Sequence, residues 1–350
     1  MDQIKEIMES FFEEIKKKEP NDQSRIEMME ELFSKNLPDI TNILVKSLKE
    51  RSHIMLNDHR FIDEGFYARH NQRWFEAFDL LQEFYVISYE IGEEIGKDGE
   101  AFNTEESAYL FDVLLRLHAR SIQITKEILV LMQHGYADGA VARWRTLHEI
   151  TIISLFIAKH GNRTAKLYKE FNQVESYREM LSYNNNYKKL GFEPLSNNEK
   201  NRIREDFEKL KAKYGNDFVE EYGWTKLVLE KKDRSLSGIE KSIELDHMRP
   251  FYKWACNAVH GGPKAAYYKI GNYGNPEVLL AGPTNYGLAD PGQNTALSLL
   301  LITSSLVVCF PTYDHIVAIS ALDYLFDDLK NKFYEIQKLI ENEEDEKLIK

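Results

Sequence analysis

The stretch GAVARWRTLHEITIISLFIAK, residues 139–159, decides the fold that the rest of the chain must adopt. Its apolar side chains recur around most of the circumference of a helix, which is typical of a helix enclosed by other helices. Its first half nevertheless carries Arg143, Arg145, His148 and Glu149. Because charged groups are costly to bury unless they are paired, we expect these residues to form either an internal ion-pair network or a functional site.

Helical patterns dominate the chain on both sides of this stretch, so the sequence predicts an all-α fold, a multi-helix bundle. The predicted core helices lie near residues 71–95, 105–133, 139–159, 162–181, 250–260 and 291–339. A short turn at residues 133–139 should make the helices beside it antiparallel neighbours. The exception is a candidate small β-hairpin near residues 265–282, where YYKI and EVLL flank the turn sequence GNYGNP.

The sequence predicts three parts: an N-terminal helical appendage at residues 1–68, a helical core domain at residues 69–340, and an acidic tail at residues 341–350. The appendage should contain three short helices, separated at Glu19–Pro20 and at residues 36–38 and followed by a connector at residues 61–67. They could serve as a peripheral subdomain or as an oligomerisation arm. A polar insertion at residues 182–236 interrupts the core and is expected to be mobile or lid-like.

Composition narrows the functional classes. The chain has 45 basic and 57 acidic residues and a formal net charge of −12, which argues against a protein whose whole surface binds nucleic acid. Two cysteines provide neither a disulfide framework nor a zinc pattern. The longest apolar run, residues 296–310, is shorter than the roughly 20 residues of a membrane span. We therefore expect a cytoplasmic protein without a membrane segment.

Arg145 and Glu149 are the first candidate site residues. Four positions apart on a helix, they share a face and can form an ion pair. One interpretation is a buried pair that only fixes the bundle. The other is an anion or phosphate site, in which Arg145 binds the ligand and Glu149 orients the Arg145 guanidinium group or takes part in proton transfer.

Arg143 and His148 form a second candidate pair, with the spacing Arg-x4-His. This spacing resembles the motif of HEPN-type ribonucleases, helical proteins that cleave RNA without a metal. The resemblance implies that the arginine binds the scissile phosphate and that the histidine moves a proton, for which its pKa is suited.

His260 is the third candidate. In AVHGGP it lies at a predicted helix end, with Gly261 expected as the C-cap. The helix dipole there favours a protonated imidazole, and the following glycines leave room for backbone or ligand. The alternatives are a simple C-capping histidine and a catalytic one.

Taken together, the helix ARWRTLHE and the later helix FYKWACNAVHGG resemble the bacterial family catalogued as domain of unknown function 5677. The resemblance spans roughly residues 75–325, with Arg145, Glu149 and His260 at the matching positions. Members are similar to abortive-infection and other phage-defence proteins of the HEPN-like group. The resemblance thus implies an all-helical protein with a defence role, and a homodimer, because HEPN-like sites are often composite.

The function expected from these observations is that of a metal-independent RNA-cleaving effector in anti-phage defence or in a toxin system, with RNA as substrate and a partner protein or antitoxin. Arg145 and Arg143 would hold phosphate, His260 or His148 would act as general acid and base, and Glu149 would orient the arginine. The alternative is a non-catalytic sensor whose cluster binds a nucleotide or a phage ligand, or is purely structural. No cofactor or metal is expected, since the sequence has no nucleotide-binding glycine motif and no HExxH. A metal site from Glu149, His148, His260 and His118 is a weaker third interpretation.

Overall fold

A computed structural model describes residues 22–99, 104–273 and 279–349, together with Glu9 and Glu13. For residues 22–33, 36, 40, 348 and 349 it describes the backbone and not the side chains. Across this part of the chain the secondary structure is helical, without a strand, which confirms the all-α prediction. The helices are α1 (Asp22–Lys97), α2 (Ala108–Gln133), α3 (Ala137–Leu190), α4 (Asn197–Tyr214), α5 (Leu236–Ser242), α6 (Arg249–Val259), α7 (Pro263–Tyr267), α8 (Ala289–Cys309) and α9 (Tyr313–Ile349). Short 3-10 turns cover Asn216–Val219, Gly223–Thr225, Lys231–Asp233 and Asp246–Met248.

The chain divides into two compact units, Met1–Ala68 and Arg69–Lys350. In the second unit α3 is the central element, because it packs against α2, α4, α5, α6 and α8. Its Trp144, Leu147 and Phe156 are at most 1% exposed, as expected for a helix that is apolar around its circumference. This enclosed helix carries the charged residues that the sequence singled out.

The N-terminal helices differ from the prediction. Helix α1 runs without interruption from Asp22 to Lys97, with Pro38 inside it. The predicted break at residues 36–38 and the connector at 61–67 are therefore wrong. A proline removes one backbone hydrogen bond and a glycine such as Gly65 weakens a helix, but the long helical flanks on either side outweigh both local costs. The break predicted at Glu19–Pro20 lies outside the described residues.

Helix α3 changes direction at Gly161, whose φ of 74° and ψ of −165° are not helical. The predicted boundary between two helical segments is therefore confirmed as a kink. The second segment continues to Leu190 and ends at Gly191 in the left-handed conformation. The loop predicted from residue 182 onward is wrong up to that point, because asparagine disfavours a helix only weakly. The capping box between Ser196 and Glu199 that opens α4 is confirmed.

Residues 215–236 pack aromatic side chains against α3, and the mobile or lid-like character of the insertion stays a prediction. Phe218 and Trp224 are 0% and 3% exposed. Each meets an aromatic ring of α3 edge to face: Phe171 at 5.7 Å and Phe156 at 5.5 Å between centroids. Although the segment is mostly polar, burial of these apolar side chains stabilises its packed conformation.

The C-terminal part also differs from the prediction. Helix α9 extends to Ile349, so residues 341–349 of the acidic tail continue this helix. Glu341 accepts a 2.8 Å hydrogen bond from the Tyr286 hydroxyl, and Glu343 pairs with Arg73 at 2.7 Å. No β-hairpin is present at residues 265–273 or 279–282, and Pro263–Tyr267 is a short helix. A helix rather than a strand follows from the proline at its first turn.

In the described chain, α8 is the one helix that is long and apolar enough to cross a membrane. The molecule buries 61% of its most apolar window. Buried core helices have the same length and composition, so this helix is weak support for a membrane span.

Candidate functional site

Arg145, Glu149 and Tyr252 form a closed hydrogen-bonded triad where α3 meets α6. Arg145 Nη2 lies 3.0 Å from Glu149 Oε1 and donates to the Tyr252 hydroxyl at 2.9 Å. That hydroxyl in turn donates to Glu149 Oε1 at 2.6 Å. Burial, reinforced by the hydrogen bond to the Glu149 carboxylate, raises the pKa of Tyr252. The hydroxyl therefore stays protonated and fixes the acidic and basic groups relative to each other.

A second pair of contacts adjoins the triad. His148 Nε2 lies 3.2 Å from Glu240 Oε1, and Arg249 donates to Glu240 Oε2 at 3.0 Å. Glu240 is fully buried and His148 is 3% exposed. Helix α5 positions Glu240, whereas Arg249 starts α6 directly before Pro250, a residue tolerated in a first helical turn. A buried carboxylate with two hydrogen-bonding partners satisfies the usual requirement for burying a charge.

The Tyr252 ring joins the two sets of contacts. The guanidinium carbons of Arg145 and Arg249 lie 5.1 and 4.9 Å from its centroid, which is cation–π distance. The imidazole of His148 lies 5.7 Å from the same centroid. The side chains of Arg145 and Arg249 are 26% and 30% exposed. Two arginines thus converge on one aromatic ring while part of each remains open to solvent.

The Arg145 side chain is incompletely satisfied. Its Nε atom is buried and makes no hydrogen bond within the described part of the chain. Buried donors are nearly always paired, so an unpaired one marks a place that a water molecule or a ligand acceptor can fill. Arg145 Nε is therefore an exception among the buried donors of the described residues.

A cleft of about 810 Å³ lies beside this cluster, between α2, α3 and the segment around residues 221–224. Ile153 in its wall comes one helical turn after Glu149. Tyr222 also lines the cleft, and burial together with the charge of Glu149 raises its pKa. The lining contains four aromatic and six charged residues: Tyr168, Phe171, Tyr222 and Trp224, with Asp112, Arg116, Lys169, Glu175, Arg178 and Glu221.

The charges of the cleft are balanced. Its three acidic residues match its three basic ones, and Asp112 already pairs with Arg116 at 2.7 Å and with Lys169 at 2.9 Å. Burial, helped by the charge of Glu175, raises the pKa of Tyr168 to about 12. The cleft thus offers aromatic faces and neutral hydroxyl groups, and it is not the uniformly basic channel that a long polyanion requires.

The five residues that the sequence proposed do not all meet. Arg145 and Glu149 lie together, and His148 is adjacent but faces Glu240. Arg143 instead pairs with Glu127 of α2. The reason is helical geometry, since residues 143 and 148 are about 140° apart at 3.6 residues per turn.

His260 is exposed at the end of α6, where it forms the cap itself with φ −101° and ψ 139°, so the predicted cap at Gly261 is wrong. Its imidazole makes no hydrogen bond or ion pair to any described residue. It follows Tyr252 by eight residues, about 12 Å along a helix. His260 therefore lies just past the end of α6, about 12 Å from Tyr252 along the helix axis, and does not belong to the triad.

Sequence reasoning missed Tyr252, Glu240 and Arg249. Each had a local role that explained it: Arg249–Pro250 as a helix boundary, Glu240 as part of a helix start, and Tyr252 as one aromatic among many. The available signal was the spacing Arg249-x-x-Tyr252, which places the two side chains on one face of α6. Their pairing with α3 depends on tertiary packing and could not be inferred from spacing.

The metal interpretation has no support in the described residues, which contain no group of three metal-ligating side chains in suitable positions. Of the histidines considered for it, His118 is buried against Thr303 at 3.1 Å and His260 is exposed at the end of α6. These residues are therefore not assembled around one point.

Residues 111–276 match a family of unknown function, DUF5677. This segment of the chain is therefore similar to the DUF5677 family. The match is shorter than the span of residues 75–325 expected from the resemblance, but it contains the whole triad, Glu240, Arg249 and His260. The DUF5677 segment also includes most of α2 and all of the residues that line the cleft. No curated protein and no solved structure matches this chain.

Proposed function

We propose that this protein binds a phosphate-bearing ligand with an aromatic base, a nucleotide or a short single strand of RNA. The observation that supports this most directly is the convergence of Arg145 and Arg249 on Tyr252 beside the cleft. Arginine guanidinium groups bind phosphate through paired hydrogen bonds. The exposed edges of both arginines supply donors for it.

The aromatic lining of the cleft supports the proposal that the ligand carries an aromatic base. Tyr222 lines the cleft, and the influence of the Glu149 charge on its pKa places it near the cluster; aromatic rings bind unpaired bases by stacking. The balanced charge of the cleft favours one or a few phosphates over a duplex. In this view the cluster recognises its ligand and performs no chemistry on it.

The test is fluorescence anisotropy with a labelled single-stranded RNA of about six nucleotides, a length within the range of single-strand sites. Arg145→Lys and Arg249→Lys keep each charge, including the partner of Glu240, but remove the planar fork of donors. We expect each to weaken binding about tenfold or more, since a charge-assisted hydrogen bond contributes roughly 1.5–3 kcal/mol. Arg202→Lys, on the exposed surface of α4, is the matched control. Equal affinity of all three variants, or no binding by the wild type, would contradict the proposal.

Metal-independent RNA cleavage is the second candidate function, and the exposed, unpaired His260 favours it. Arg145 would hold the scissile phosphate and His260 would serve as general acid and base, a role that histidine often has in enzymes. His148 fits this role less well, because it is buried against Glu240. A role in anti-phage defence or in a toxin system belongs to this proposal through the HEPN-like resemblance alone, whereas a cytoplasmic location is proposed from the cysteine content.

Incubation of RNA with the protein in excess chelator tests cleavage, read on a gel. We expect the wild type to cleave, His260→Ala to be inactive, and Arg143→Ala to remain active because Arg143 lies away from the cluster. In cells, the wild type should arrest growth with fragmented RNA. Intact RNA at all protein concentrations would leave binding as the sole function.

A further inference from the structure

The segment that contains α6 and α7 has no acidic residue, although the whole chain has a net charge of −12. Residues 247–276 include four basic side chains, and these are Arg249, Lys253, Lys264 and Lys269. A local concentration of positive charge in an acidic protein attracts an anionic partner to that place. The charge pattern therefore indicates a binding surface that the chain as a whole conceals.

The lysines of this segment are available to a ligand. Lys253 and Lys264 are exposed, and neither forms an ion pair with a residue that the structure describes. Carboxylates that contact the segment, such as Glu149, Glu240 and Asp138, already accept hydrogen bonds within the fold. Both ammonium groups can therefore bind an anion from outside the molecule.

Exposed aromatic rings accompany these lysines. Trp254, Tyr267 and Tyr268 are 52%, 91% and 60% exposed. Helix α7 follows α6 after three residues and packs against it, so the rings and the lysines lie in one short part of the fold. Lysines bind phosphates, and aromatic rings stack on unpaired bases, so this combination is typical of proteins that bind single-stranded nucleic acids. We call Lys253, Trp254, Lys264, Tyr267 and Tyr268 the α6–α7 surface.

Helix α6 connects this surface to the Arg145–Tyr252 cluster. Arg249 begins the helix, and its partly exposed guanidinium group is part of the cluster. Lys253 follows four residues later, so the two side chains are neighbours on the surface of the helix. Phosphates bound by Arg249 and by Lys253 can thus belong to one strand.

We propose that the α6–α7 surface binds a single-stranded nucleic acid, one phosphate of which lies at the Arg145–Tyr252 cluster. The ligand is then an oligonucleotide and not a free nucleotide. This inference rests on the proposed function, since it takes the cluster to hold part of the same strand. A membrane fits less well, because an interfacial helix needs a continuous apolar face, and Val259 is the only large aliphatic side chain that residues 249–269 expose.

Anisotropy of a labelled single-stranded RNA of about 12 nucleotides, a length within the range of single-strand sites, tests the lysines at several salt concentrations. We expect Lys253→Gln/Lys264→Gln to weaken binding about tenfold and to lower the slope of log affinity against log salt by about 1.4, since each phosphate contact on a single strand contributes about 0.7. The matched control is Lys188→Gln/Lys189→Gln, which removes two exposed lysines at the end of α3. The control should keep both values, and equal results for the two double variants overturn the proposal.

The same RNA tests the aromatic rings. We expect Tyr267→Ala/Tyr268→Ala to weaken binding about tenfold without a change in the salt slope, because stacking involves no charge. Tyr313→Ala/Tyr324→Ala, which removes two rings of α9 that are 91% and 82% exposed, should bind like the wild type. Unchanged binding by Tyr267→Ala/Tyr268→Ala would mean that no base stacks here, contrary to the proposal.

The arginine variants separate this inference from the proposed function. If Arg145→Lys and Arg249→Lys weaken binding while the lysine and tyrosine double variants do not, the cluster alone holds the ligand and the α6–α7 surface is not a binding site. The reverse pattern overturns the proposed function and, with it, the shared strand. Sedimentation with phosphatidylcholine vesicles that contain about 30% phosphatidylserine, an anionic lipid that attracts basic segments, tests the membrane. Pelleting that depends on Lys253 and Lys264, without an effect of these lysines on RNA binding, assigns the surface to a membrane and overturns the proposal.

Discussion

At the residue scale, Glu240 lies fully buried between His148 and Arg249. Removal of one member of a buried ion pair costs about 3–5 kcal/mol, because the remaining charge has no partner. We expect Arg249→Ala to lower the free energy of unfolding by about 3 kcal/mol, the lower end of that range, since the arginine itself is partly exposed. Glu240→Gln should cost less, because an amide still hydrogen-bonds to both neighbours and the arginine can reach water.

Urea unfolding followed by circular dichroism measures both values. The control is Arg202→Ala, whose side chain is exposed on α4 and whose loss should change stability by less than about 0.5 kcal/mol. If Arg249→Ala behaves like this control, Glu240 is not held by Arg249 in solution.

The same residues show how far the sequence defines the site. Arg145 and Glu149 could be predicted to pair, because both lie on one helix at a fixed spacing. Tyr252 could not be predicted as their third member, since that contact forms only when α6 packs on α3. Arg143 illustrates the opposite case. It lies two residues from Arg145, but the helix turns its side chain toward α2 and Glu127.

At the scale of elements, boundaries set by strong local signals were predictable and those set by weak ones were not. The Ser196 capping box and the kink at Gly161 agree with the sequence. Pro38 and residues 61–67 favour a helix break in the sequence, but α1 continues through both positions. Each such signal costs only a local hydrogen bond or some backbone entropy, whereas helix length and packing are set by many residues together.

Gly161 gives a prediction at this scale. Its φ of 74° and ψ of −165° lie in a region that only glycine adopts readily. A Cβ there would meet nothing within 4 Å, so any cost of substitution is conformational rather than steric. We expect Gly161→Ala and Gly161→Asn each to lower the free energy of unfolding by about 1–3 kcal/mol. Gly191→Asn should be nearly neutral, because its φ of 71° and ψ of 24° are left-handed helical values that asparagine tolerates.

Thermal unfolding of the three variants in parallel measures the difference. Equal melting temperatures for Gly161→Asn and Gly191→Asn would mean that the kink relaxes in solution, and that α3 continues through residue 161 as a straight helix.

At the scale of the whole molecule, two buried histidines make the stability of the second unit depend on pH. His118 of α2 contacts Thr303 of α8 at 3.1 Å, and His70 donates to the Met132 carbonyl at 2.8 Å. Burial lowers the pKa of His118 to about 4 and also lowers the pKa of His70. Both imidazoles are therefore neutral in the folded chain at neutral pH, and protonation must disrupt the contacts between helices that they occupy.

The sign of the resulting pH dependence follows from linkage. In the unfolded chain His118 gains its proton near pH 6.5, whereas in the folded chain it does so only near pH 4, so the unfolded state binds more protons between these values. Stability is complete above about pH 6.5 and should decrease as the pH falls toward 4, by about 3 kcal/mol for this residue. His118→Gln, which can keep the bond to Thr303, should flatten this part of the profile of urea midpoint against pH. His53→Gln, at an exposed position of α1, should leave the profile unchanged. An unaltered acid slope in His118→Gln would show that other groups destabilise the bundle in that pH range.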